Sequence, residues 1–151
     1  MKKKVLLVVG LLLALGASAW AQTLERVDRV SNSGFDKTVR QLEVAIKGKG
    51  MMVVAVIDHQ NMMRMVGMNV RGSKTLEFGK AEMGKMILGS HPEAGLENPA
   101  KLYVFERGDG KTVVSYYKPS GGFATYRADS LRQVGQMMDQ VLAEIAAEGT
   151  R

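Results

Sequence analysis

Cysteine is absent from this chain. Its absence removes thiolate catalysis, Cys-ligated zinc, iron–sulfur clusters, covalent haem attachment and lipidation of an N-terminal cysteine. It also removes disulfides, so stability in an oxidising compartment has to come from packing. Histidine occurs only as His59 and His91, and tryptophan only as Trp20. With two histidines and no G-x-S-x-G elbow, a serine hydrolase lacks both its base supply and its local signal. Phosphate cradles are missing too. Gly108-x-Gly110 and Gly121-Gly122 are turn signals without the lysine and serine spacing of a P-loop. No internal repeat or low-complexity tract is visible.

What is present begins with an export pattern. Lys2, Lys3 and Lys4 precede an apolar run from Val5 to Leu15, relieved only by Gly10. Gly16 to Ala21 then ends in Ala19-Trp20-Ala21, with small residues at −1 and −3 of a cut after Ala21. These are the three parts of a secretory signal, which predicts cleavage after residue 21 and a periplasmic or secreted mature domain over 22–151. The alternative, an uncleaved anchor, has an apolar stretch at the bottom of the spanning range and small rather than bulky residues at its end. Half of the formal charge of +6 leaves with those three lysines. The remaining balance, interleaved with acids, is a poor footprint for nucleic acid, and nothing in the mature part calls for a membrane.

Periodicity organises the rest. Thr23–Ser31 alternates and predicts a strand; Ser33-x-x-Asp36 has the form of a helix start. Phe35, Val39, Leu42 and Ile46 then mark one helix face, ended by Gly48 and Gly50. Met51–Ile57 is a continuous apolar run of strand length, so both its faces are expected to be covered or shared with a partner. Asp58 is a good N-cap for a short helix His59–Val66, with Gly67 to end it. Thr75–Phe78 reads as a strand and Lys80–Leu88 as a helix, with Pro92 and Pro99 bracketing a further turn. Ala100–Glu106 and Thr112–Tyr117 form a hairpin across Arg107–Lys111. Pro119–Gly122 reads as a loop. Ser130-x-x-Gln133 reads as a capping box, followed by the stripe Leu131, Val134, Met138, Val141 and Ile145. The order βαβαβαββα predicts an α+β fold: a mainly antiparallel sheet with helices on one face.

Four segments resemble the bacterial domain of unknown function 302 family. They are Ser33-Gly34-Phe35-Asp36-Lys37-Thr38-Val39, Ile57-Asp58-His59 with Gly67 after it, Phe78-Gly79 through Pro92 to Pro99 and Leu102–Glu106, and Val114–Pro119. The chain departs from the family pattern at Ala81, at Asn98 and in the methionine-rich helix after His59. The resemblance implies a two-layer sandwich similar to one TATA-binding-protein repeat, and a homodimer. It implies no activity, and likeness of fold to a DNA-binding protein is not evidence of DNA binding.

The candidate site residues are few. Asp58 beside His59 would orient a general base or a ligand, or would simply cap a helix. Tyr116, near the end of its strand, offers a hydroxyl to a ligand or packs in the core. His91, before Pro92, reads as a solvated loop residue. Met62, Met63, Met65, Met68, Met83 and Met86 cluster in two helical regions and include three M-x-x-M pairs, Met62/Met65, Met65/Met68 and Met83/Met86, a thioether-rich pattern that suits Cu(I). A Cu(I) set would be His59 with Met62, Met63 or Met65, and non-covalent haem is the related alternative. The bland reading is packing, yet Met62, Met63, Met65 and Met68 point around more than half a helix and cannot all face one core. The sequence therefore predicts an exported, non-enzymatic ligand- or partner-binding homodimer. The alternatives are a soft-metal or haem carrier, or, third, a small hydrolase around Asp58, His59 and Tyr116.

Overall fold

Five short stretches rich in valine and aromatics make one sheet: β1 Arg26–Val30, β2 Met52–Asp58, β3 Ser73–Gly79, β4 Ala100–Glu106 and β5 Thr112–Tyr117. A computed structural model describes residues 24–151. The signal expected at residues 1–21 lies outside the described residues. The strands lie in the order β1-β5-β4-β3-β2, every neighbouring pair antiparallel. Period-two alternation puts Leu76, Phe78, Leu102, Val104, Val114 and Tyr116 on one face, and all six are buried.

That face is covered by α1, Phe35–Gly48, and α5, Asp129–Gly149, which also pack on each other. Val39, Leu42, Ala45 and Ile46 come from α1, and Leu131, Val134, Met138, Leu142 and Ile145 from α5. Burying each large aliphatic here contributes about 1.5–3 kcal/mol. The result is the α+β two-layer sandwich that the element order predicts. Short helices join the layers: α2 His59–Met65 after β2, and α3 Ala81–Ser90 with a 3-10 turn Pro92–Glu97 before β4. Among the described residues no helix is long and apolar enough to cross a membrane.

Several local expectations are corrected. The first strand is shorter than Thr23–Ser31, and the third is longer than Thr75–Phe78. Pro119–Gly122 is not a loop but most of a helix, α4 Pro119–Phe123, continued by a 3-10 turn Ala124–Tyr126. Asp139 on α5 holds it, accepting from the Ser120 backbone N–H at 2.9 Å and the Ser120 hydroxyl at 2.6 Å. Neither capping box forms. Gly34 and Ala128 occupy the N-cap positions, and neither helix start has a side-chain cap. The Ser33 hydroxyl instead donates to the Arg151 carbonyl at 2.9 Å. The expected glycine stops are in place, with Gly50 at φ 69° and Gly67 at φ 79°.

Candidate functional site

At the junction of β2 and α2 the chain turns from strand to helix, and Asp58 makes the turn. Its Oδ1 accepts from the Asn61 backbone N–H at 2.8 Å, the N-cap bond expected of it. Its Oδ2 lies 3.6 Å from Lys74 Nζ on the neighbouring strand. Lys74 in turn sits over the Phe35 ring of α1, 5.9 Å from its centroid. Asp58 is thus occupied on the helix side of the sheet.

His59 faces the other way. Its Nε2 is 2.7 Å from Thr75 Oγ1, and its ring meets the edge of Tyr103 at 5.8 Å between centroids. Tyr103 stacks on Phe105 at 5.3 Å, and its hydroxyl is 2.7 Å from Ser73 Oγ. Neighbouring residues leave a strand in opposite directions, so Asp58 and His59 do not meet as a dyad. Tyr116 is not brought to them either. It lies on β5, with β4 and β3 between it and β2, and its ring is in the core. Burial raises its phenol pKa above the ordinary value, with Arg29 and Lys118 opposing that effect.

The methionines divide. Met63 lines a shallow depression with His59, Arg71, Tyr103 and Phe105. Met62 and Met65, the other named donors, are 50% and 80% exposed. Met68 is also exposed, whereas Met83 packs against the core and Met138 lies in it. Among the described residues no group of three His, Cys, Asp or Glu is placed to hold a metal ion.

Sequence reasoning missed two features. The His91 ring lies between Glu93 and Ser130, with Nδ1 3.5 Å from Glu93 Oε1 and Nε2 3.4 Å from Ser130 Oγ. Both contacts are long, and the second links the end of α3 to the start of α5. The second is a cavity of about 390 Å³ between the sheet end and helices α3, α4 and α5. Its walls come from residues far apart in sequence, so no local pattern marks it.

Comparison with known proteins agrees with this architecture. A crystal structure of an uncharacterized conserved DUF302 protein from Bacillus stearothermophilus superposes with a TM-score of 0.76 at 19% identity. The match covers 83% of this chain and 98% of that one. At that identity the likeness speaks for the fold. No functionally curated protein matches the chain. The family model of the domain of unknown function DUF302 matches residues 27–145, through the sheet and both covering helices, and the chain belongs to that family.

Proposed function

We propose that the chain is an exported, non-enzymatic binding domain that works as a homodimer joined along β2. The observation that carries this reading is the contrast between the two sheet edges. β1 bears Arg26, Asp28 and Arg29, and an Arg26–Asp28 ion pair at 2.7 Å. Charges of this kind keep an edge strand from pairing with another chain. β2 is Met-Val-Val-Ala-Val-Ile-Asp, with no charge before its last residue. Met52, Val54 and Val56 are 62%, 54% and 46% exposed, and Met62, Met65, Val66 and Met68 follow directly on α2 and its exit. Apolar surface concentrated on one edge marks an interaction site. A second copy satisfies both the open backbone of β2 and its uncharged side chains.

The exposed methionines fit the same role, because methionine adapts its shape to an opposing surface. Their outward placement favours a partner surface over a closed set around Cu(I): Met62 and Met65 are exposed, while Met63 lines the depression beside His59. Light scattering on the mature protein at micromolar concentration is expected to give twice the monomer mass. A clean monomer there removes the dimer reading. The export half of the proposal rests on the Lys2–Ala21 pattern. Mass spectrometry of native protein is expected to find Gln22 at the N-terminus, free or cyclised, and an intact Met1 start would overturn it.

A further inference from the structure

The cavity at the end of the sheet has apolar walls and one acid without a cation. Leu24, Met83, Leu96 and Tyr117 line its open side, above a floor of the buried core residues Phe78 and Phe123. Its volume of about 390 Å³ falls in the range of small-molecule pockets. Five lining residues carry polar side-chain groups: Glu97, Asn98, Lys101, Tyr117 and Lys118. Lys118 is already paired, with its Nζ 2.7 Å from Glu25 Oε1, and Lys101 is exposed on β4. Glu97 forms no ion pair among the described residues.

The fold takes trouble to keep Glu97 there. The 3-10 turn Pro92–Glu97 carries it in, and Tyr126 Oη donates to its Oε1 at 3.2 Å. Burial and the neighbouring carboxylate raise the Tyr126 pKa, so the phenol stays a donor well into alkaline solution. The other carboxylate oxygen rests on Gly122, where a Cβ would overlap it. Gly122 is set at that spot by α4, which Asp139 fixes through Ser120. A hydrogen-bond acceptor with capacity to spare therefore borders an apolar chamber.

We infer that this cleft binds an amphipathic amine, its ammonium on Glu97 and its hydrocarbon portion along Leu24, Met83, Leu96 and Tyr117. The apolar walls give affinity, and the carboxylate selects for a cationic head over an anionic or neutral one. A charge-assisted bond of this kind is the stronger sort of hydrogen bond, and stronger still when water is displaced around it.

The test is calorimetric titration of the mature protein with three probes of equal chain length: octylammonium, octanoate and 1-octanol. Octylammonium is expected to saturate at one per chain and to bind roughly tenfold or more tightly than the other two. Glu97→Gln preserves the shape and the acceptor for Tyr126 while removing the charge. It is expected to bring octylammonium to the level of octanol and to leave octanol unchanged. Met83→Trp, which fills the chamber, is expected to abolish binding of all three, with circular dichroism confirming that both variants fold. Tighter binding of octanoate would show that Lys101 rather than Glu97 governs the cleft, and would overturn the assignment. So would equal binding of the three probes, absence of saturable heat, or octylammonium binding that survives either substitution.

Discussion

Replacing Val54 and Val56 together by lysine is expected to convert the dimer to monomer at micromolar concentration. Both side chains lie on the open edge strand and are about half exposed, so the substitutions bury no charge within one chain. In an antiparallel pairing of two β2 strands about a twofold axis, each new lysine meets its own kind across the interface. Like charges set opposite each other cost several kcal/mol, which weakens association by roughly a hundredfold or more. Light scattering would read half the wild-type mass, while the melting temperature at low concentration stays near that of dissociated wild type. Val44→Lys is the control. Val44 is 69% exposed on the outer side of α1, away from the edge, and the variant is expected to remain a dimer. A Val54/Val56 double variant with unchanged mass would move the interface elsewhere on the molecule.

The sequence was informative where structure is decided by near neighbours and silent where it is decided by distant ones. The stripe Val39, Leu42, Ile46 on α1 is buried as its spacing requires, and so are Leu131, Val134, Met138 and Ile145 on α5. Val141 is the partial miss: it is half-buried, and Leu142 beside it is 1% exposed, because α5 is long enough for its buried face to drift round the axis. The capping boxes failed for a different reason. Ser33 and Ser130 each found another contact, the C-terminal carbonyl of Arg151 and the ring of His91, that no local rule contains. α4 is the reverse case. Pro119 at its first turn was a readable start signal, but the bond that closes the helix comes from Asp139, far along the chain. The cleft is least legible of all, since Glu97 and Tyr126 lie 29 residues apart and Gly122 matters only because Glu97 lies on it.

Two helical glycines that look alike in the sequence are expected to respond to alanine with opposite signs. Gly149, in the last turn of α5, lies against α1: a Cβ there would overlap the Leu42 side chain and come within 3.2 Å of Leu42 Cα. Leu42 is fully buried, so it has nowhere to go. Nor is the end of α5 free to lift. The Thr150 carbonyl accepts from the Asn32 N–H at 3.0 Å, and its hydroxyl accepts from Arg29 Nε at 3.0 Å. The Arg151 carbonyl accepts from Ser33 Oγ and, at 3.0 Å, from Gln41 Nε2. Gly149→Ala must therefore strain the core or break these ties, at about 1–3 kcal/mol. In a domain of this size that lowers the melting temperature by roughly 4 °C for each kcal/mol. Gly48 is the last residue of α1, and a Cβ on it meets nothing within 4 Å. Its alanine variant loses no contact and restricts the unfolded chain, so it is expected to gain about 0.4–1 kcal/mol. Urea denaturation of both variants measures the difference directly. A Gly149→Ala protein as stable as wild type would mean that α1 and α5 approach less closely than Leu42 and Gly149 require.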